Sequence, residues 1–159
     1  MNKFLPAIFA FASMFLYGCG PNYLLEGRHD FPDTQWTYAD SLRFEFEVED
    51  TTRIYNLYAE LTHSVDYSFQ NLYTHIHTIM PSGQRLTKLV SLELTNKLGI
   101  WSGDCNSKTC EIRLPVQEDL YFNQVGHYTI VVEQFMRQDQ LPGLDNFSLL
   151  IEESEKKRQ

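Results

Sequence analysis

The chain lacks the short motifs by which many enzyme classes are recognised. There is no Gly-x-Ser-x-Gly elbow, no Walker loop and no Gly-rich dinucleotide turn, which excludes the hydrolases, NTPases and dehydrogenases built on those turns. No segment of ten or more residues keeps a 3.6-residue apolar period, so long amphipathic helices are excluded. No internal repeat and no low-complexity tract occurs, which removes solenoids and disordered arrays. Positive charge is scarce: 13 Lys and Arg stand against 21 Asp and Glu, for a formal net charge of −8. That balance argues against nucleic acid and against adhesion to anionic lipid. Cysteine is scarce too, with three in the chain, and no second Cys pair exists to complete a four-coordinate structural zinc site. The longest apolar run, Phe4 to Tyr17, falls short of the roughly 20 residues a permanent membrane-spanning helix needs.

That run is the first positive feature. Lys3 followed by Phe4–Tyr17 reads as the basic and apolar regions of a secretory signal peptide. It ends in Leu16-Tyr17-Gly18-Cys19, which resembles the lipobox of bacterial lipoproteins. The lipobox implies a thioether-linked diacylglycerol on Cys19, cleavage before it, and acylation of the new N-terminus. The competing reading is an ordinary signal peptide with Cys19 incidental. Residues 1–18 carry only Lys3 as a charged group, so their removal leaves the mature chain one unit more acidic. If Cys19 carries lipid, Cys105 and Cys110 remain. In an exported protein an even remainder reads as a disulfide, here closing a very short loop; half a zinc site is the alternative.

Residues 19–35 read as lipid anchor and tether, with Gly20, Pro21 and Gly27 and no sustained period. No acidic cluster follows Cys19, which leans towards the periplasmic side of a membrane. From Trp36 onward the period is two. Leu42, Phe44, Phe46 and Val48 alternate with Arg43, Glu45, Glu47 and Glu49, as in a half-buried strand. Further strands are expected around Tyr55–Leu61, Leu72–Met80, Leu86–Thr95 and Ile112–Val116, the last confined to an edge by Pro115. Leu98 to Cys110 reads as a long loop, and Glu118–Val125 as a place for one helical turn. His127–Arg137 is apolar on both faces and so central. Leu141-Pro142-Gly143-Leu144 suits a type II turn, and Phe147–Glu152 is a last strand. Residues 153–159 are a charged tail expected to fray. The sum is an all-β chain: an antiparallel β-sandwich over 36–152, jelly-roll-like in its strand count.

Candidate chemistry is sparse. His75 and His77 share a strand face at a spacing used for metals, with His29, His63 or Asp66 as third ligands only if the fold brings them near; otherwise they are two histidines on a solvated face. Glu45, Glu47 and Glu49 form a stripe that a glycosidase reading would use and that a solvated face explains equally. No catalytic residue, cofactor or metal is assigned. Trp36 and Trp101 are candidate interaction residues, able to stack on sugar rings or grip a partner, or else to anchor core and loops. Arg137, closing a largely apolar strand beside Asp139, either pairs internally or reaches a partner.

Taken in order, Cys19, Trp36, Asp66-Tyr67, Asn71-Leu72-Tyr73, Gly99-x-Trp101-x-Gly103, Gly126-x-Tyr128, Gln134-x-Met136-Arg137 and Leu141-x-Gly143-Leu144 resemble the GldH family of gliding-motility lipoproteins. The resemblance covers nearly the whole mature chain. It implies a membrane-anchored, non-enzymatic accessory protein of the gliding machinery, which is linked to a protein-secretion system. Its expected partners are other envelope proteins, and the membrane through the N-terminal lipid, in the cell membrane or outer membrane. The alternative is a carbohydrate- or ligand-binding sandwich of the same envelope.

Overall fold

A strand with Leu42, Phe44, Phe46 and Val48 on one face and Arg43, Glu45 and Glu47 on the other is stable only when a second layer covers its apolar side. The computed structural model, which describes residues 20–158, supplies that layer. Cys19 and the expected signal peptide lie outside the described residues. Eleven strands follow one another: β1 (Tyr23–Asp30), β2 (Gln35–Thr37), β3 (Leu42–Val48), β4 (Arg53–Ser64), β5 (Asn71–Ile79), β6 (Arg85–Glu93), β7 (Asp104–Cys105), β8 (Thr109–Leu120), β9 (Gly126–Gln134), β10 (Gln140–Pro142) and β11 (Leu144–Lys157). One sheet has the order β1-β11-β4-β8-β7, the other β3-β9-β5-β6, and β10 pairs with β2 as a small ribbon. Every pairing is antiparallel.

With the short β2, β7 and β10 set aside, the eight long strands run first-eighth-third-sixth in one sheet and second-seventh-fourth-fifth in the other. That is the wiring of a jelly roll, two Greek keys folded face to face. The core lies between the sheets. Phe44, Phe46, Tyr128, Ile130 and Val132 meet Leu57, Leu61, Phe147, Leu149 and Ile151, all buried. β9 sits between β3 and β5, the central place its two apolar faces require. Gly143 has φ 88°, as the third position of a type II turn demands. Pro115 lies beyond the reach of β7, which pairs only with Cys110 and Glu111, so that side of β8 is an open edge.

Several expectations are corrected. The segment read as tether is mostly strand: β1 pairs with β11 from Tyr23↔Glu152 to Asp30↔Asn146. The sandwich therefore begins at Tyr23, not Trp36. The charged tail is also strand, because β11 continues to Lys157 opposite Arg53. Backbone pairing is indifferent to side-chain polarity, and ion pairs from Arg53 to Glu153 and from Lys156 to Asp119 hold this end. Glu118–Leu120 extends β8 where a helical turn was expected, with Asp119 at φ 51° and its amide donating to Asn56 Oδ1 at 3.2 Å. The Leu98–Cys110 loop is partly ordered into sheet. Thr95 bridges to Trp101, and β7 forms a hairpin with the start of β8, across which Cys105 and Cys110 are disulfide-bonded.

β1 packs close against the facing sheet at Gly27. A Cβ on Gly27 would lie 2.4 Å from Cδ1 of the buried Phe44 ring, inside any permissible contact. Phe44 is held by its edge-on contact with His29 and by Phe147, so it has little room to yield. Gly27→Ala is expected to cost about 1–3 kcal/mol, as overpacking does. Urea midpoints would check this against Glu26→Ala on the exposed face, expected within about 0.5 kcal/mol of the unchanged protein.

Candidate functional site

The outer face of the four-stranded sheet carries side chains that the core does not use. On β5 these are Tyr73, His75 and His77; on β6, Thr87, Leu89 and Ser91 lie opposite them. β9 contributes Val131 and Glu133, and the chain then leaves the sheet at Phe135. The loop from Phe135 to Asp139 is shaped by one buried side chain, Gln134. Its Oε1 accepts from the Met136 amide at 2.9 Å, and its Nε2 donates to the carbonyls of Gln138 and Asp139, each at 3.1 Å. An amide side chain can fill donor and acceptor roles together, which an apolar residue of like size cannot.

That loop places an aromatic platform. The Phe135 amide donates to the Tyr73 carbonyl at 2.7 Å, and the Tyr73 amide faces Met136 Sδ at 3.3 Å. The Tyr38 hydroxyl donates to the Met136 carbonyl. The His75 ring packs on Phe135 with centroids 4.1 Å apart. Tyr38, Phe69, Tyr73, Leu89, Phe135 and Arg137 rim a broad depression of about 790 Å³. Phe135 is 53 % exposed and Tyr73 42 %. A second apolar feature stands nearby. Asn96 Oδ1 accepts from the amides of Leu98 (2.9 Å) and Ile100 (3.1 Å), which fixes a tight turn and leaves Leu98 84 % exposed.

The residues singled out in the sequence fare differently. Arg137 lies on the platform rim, and among the described residues it forms no ion pair. Asp139 Oδ1 instead accepts from the Tyr38 amide at 3.3 Å. Trp36 is fully buried in β2, stacked on Phe31 and packed against Phe147, its indole donating to the Asp40 carbonyl at 2.8 Å. It is a core anchor and no interaction surface. Trp101 is half-buried against His63, its indole donating to the Val65 carbonyl at 3.0 Å, and it pins a loop.

His75 and His77 lie side by side with ring centroids 5.8 Å apart, but among the described residues no third ligand joins them. His77 lies between Thr87 Oγ1 (2.8 Å) and Glu133 Oε2 (3.2 Å), His29 faces the Arg43 carbonyl on β3, with β9 between β3 and β5, and His63 is buried in the core. Glu45 pairs with Arg43 at 2.7 Å on a solvated face. Burial alone pushes the Tyr67 hydroxyl well above its usual range. Tyr38, Tyr73, Leu89 and Phe135 were missed as surface residues. For Tyr73 the signal was present, since it alternates out of phase with the buried Leu72, Thr74 and Ile76.

The Ser41 hydroxyl, and after it His77, hold the Glu133 carboxyl below its ordinary value. A carboxyl depressed in the folded state adds stability above its unfolded pKa and loses it as pH falls through the folded one. The gap in Tm between the unchanged protein and Glu133→Gln is therefore expected to narrow below about pH 4.3, the ordinary Glu value. Thermal unfolding over a pH series checks the sign. Gln134→Leu, which strands one amide and two carbonyls, is expected to cost about 1–3 kcal/mol and to speed hydrogen exchange at Met136.

Comparison with known proteins decides the family. The GldH lipoprotein family matches residues 24–151. The chain belongs to it. Two GldH relatives align over most of their length. One is the gliding motility lipoprotein GldH homolog of Christiangramia forsetii, 24% identical over 128 residues, 76% of this chain and 79% of that one. The other is the gliding motility lipoprotein GldH of Flavobacterium johnsoniae, 24% identical over 139 residues, 87% and 86% of the two chains. Among solved structures, a carbohydrate-binding module specific for non-crystalline cellulose aligns at TM-score 0.44 with 12% identity, over 82% of this chain and 74% of the module. Likeness at that level carries no argument for this chain. Among the described residues no helix is long and apolar enough to cross a membrane.

Proposed function

We propose that this GldH-family chain is a non-enzymatic accessory lipoprotein of the gliding-motility machinery, anchored through Cys19, that docks another envelope protein on the Tyr38–Tyr73–Phe135 platform. The observation that carries the reading is an ordered apolar depression left open on a sheet face. Aromatic residues, Met and Arg are the residue types enriched where protein interfaces bury their centres, and here they converge with Leu89 around one depression. The platform is held by backbone hydrogen bonds, so a partner meets a surface already formed and little ordering cost is added on binding. The family of relatives supplies the setting, and the acyl chains on Cys19 supply the hold on the membrane, with the domain on the periplasmic side.

One observation favours a second reading. The exposed rings of Tyr73 and Phe135 could stack on a sugar, so a glycan-binding lipoprotein is the alternative. The lining offers that role the Tyr73 hydroxyl, the Asn71 amide and the Arg137 guanidinium, while the Tyr38 hydroxyl is spent on Met136 and Leu89 and Phe69 have no polar side-chain group.

In-cell photocrosslinking from position 89, followed by mass spectrometry, is expected to recover a small stoichiometric set of envelope proteins. Tyr73→Ala with Phe135→Ala should weaken that capture by roughly 30-fold or more, the equivalent of about 2 kcal/mol for interface anchors. Recovery of the chain alone, together with retention on a glycan array that the double variant loses, would transfer the assignment to carbohydrate. Cys19→Ala should move the protein from the membrane to the soluble fraction; persistence on membranes after a high-salt wash would remove the anchor from the reading.

A further inference from the structure

The course of β1 fixes which end of the sandwich faces the lipid. β1 starts at Tyr23, four residues after Cys19, a span of at most about 13 Å at ~3.3 Å per residue. Tyr23 pairs with Glu152, and the Glu153 amide donates to the Asn22 carbonyl at 2.8 Å. The chain thus enters at the end of the molecule where Arg53 meets Lys157, Tyr55 meets Leu120 and Gly126 meets Val48. The β3–β4, β5–β6 and β8–β9 turns gather there, with Pro81 packed on Gly126.

That end carries apolar side chains of its own. Tyr121 is 47 % exposed and Val125 62 %. The Arg158 guanidinium lies 4.4 Å from the Tyr121 ring centroid and donates to Asn123 Oδ1 at 3.1 Å, which ties the loop to the end of β11. Of the carboxylates at this end, Asp50 accepts from Thr52 and Arg53 and Asp119 pairs with Lys156 at 2.8 Å, while the exposed Glu49, Glu118 and Glu155 form no ion pair among the described residues and must stay on the water side. An apolar cleft of about 370 Å³ between β6 and β8 has Met80, Leu86, Tyr121 and Phe122 among its lining.

We infer that this end seats on the bilayer, with Tyr121 and Val125 at the lipid–water boundary and Arg158 beside them. The inference rests on the lipid at Cys19. Tyr and Arg are side chains suited to that boundary, an apolar body with a polar tip. With so short a link the domain cannot turn its other end to the membrane. The platform then stands away from the lipid: Phe135 lies nine residues along β9 from Gly126, about 30 Å at ~3.4 Å per residue. Because the chain is acidic overall, the seating depends on the acyl chains and these apolar contacts and holds at high salt.

The test uses full-length lipidated protein in phosphatidylcholine vesicles whose acyl chains are brominated near the headgroup. Tyr121→Trp, Val125→Trp and Phe135→Trp are compared with the unchanged protein, whose Trp36 and Trp101 give the background. Emission added at positions 121 and 125 is expected to be lost to bromine quenching, and that added at 135 to be kept. Vesicle flotation without quenching at 121 and 125, or quenching at 135 equal to theirs, would overturn the orientation. Failure to float would overturn the anchor and the inference with it. If the Tyr121 variant does not fold, Val125→Trp reads the same surface.

Discussion

Two groups of aromatic rings clamp the sheets together, one near each end of the sandwich. At one end Trp36 stacks on Phe31 at 5.0 Å and packs on Phe147 at 5.5 Å, with Phe44 beyond it. At the other, Phe122 lies 4.8 Å from Tyr128, 5.3 Å from Phe46 and 5.7 Å from Tyr55. Each such ring removes roughly 150–250 Å² from water, about 4–6 kcal/mol at ~25 cal/mol per Å² as an upper bound. Exposed pairs such as Arg28–Asp30 contribute about 0–1 kcal/mol. The rings decide the fold, and they also place its ends, since Trp36 carries the β2–β10 ribbon and Phe122 carries the β8–β9 loop. The surface features at both ends are therefore consequences of core packing.

Polar side chains then set the details that burial leaves open. Gln134, Asn96 and Asn106 each hold a turn by satisfying backbone amides that the sheets do not pair. Asn106 Oδ1 takes the amides of Lys108 and Thr109 at 2.7 and 2.9 Å, so the hairpin closed by Cys105–Cys110 is already formed by hydrogen bonds. The disulfide there adds about 2 kcal/mol on the chain-entropy view, and it pins this hairpin without stapling distant strands. The apolar side chains displayed by these turns, Phe135 and Leu98, are exposed because backbone bonding fixes them outward, against their own tendency to bury.

The same division explains what could be read in the sequence. β3, β5 and β9 were legible because burial on one face imposes a period of two, and β9 was legible as central because both its faces are apolar. β1 was not. In Tyr23-Leu24-Leu25-Glu26-Gly27-Arg28-His29-Asp30 the inward position is a glycine where Phe44 occupies the space, so the period is broken at the residue that matters most. The end of β11 was illegible for a related reason: Glu152-Glu153-Ser154-Glu155-Lys156-Lys157 is paired through its backbone, which no side-chain pattern reports. Trp36 was left open between surface and core, and Phe135 was counted within the strand His127–Arg137. Aromatic residues between strands look like surface and those within strands look like core, and only the register of β2 against β10 and the exit of the chain from β9 reverse both.

The misreading of β1 changes the functional geometry as well as the fold. A flexible tether over residues 19–35 would leave the sandwich free to turn beneath the membrane, and any face could then meet a partner. Under the proposed anchoring at Cys19, a strand that begins four residues after it removes that freedom, because the point of entry, the three neighbouring turns and the last strand belong to one end of the molecule. The molecule has a near end and a far end. Arg137, Phe135 and the Leu98 turn lie at the far end, where Arg137, which forms no ion pair among the described residues, is open to an incoming chain. The placement of the proposed docking face, relative to the proposed anchor, is in this way set by the pairing of Tyr23 with Glu152.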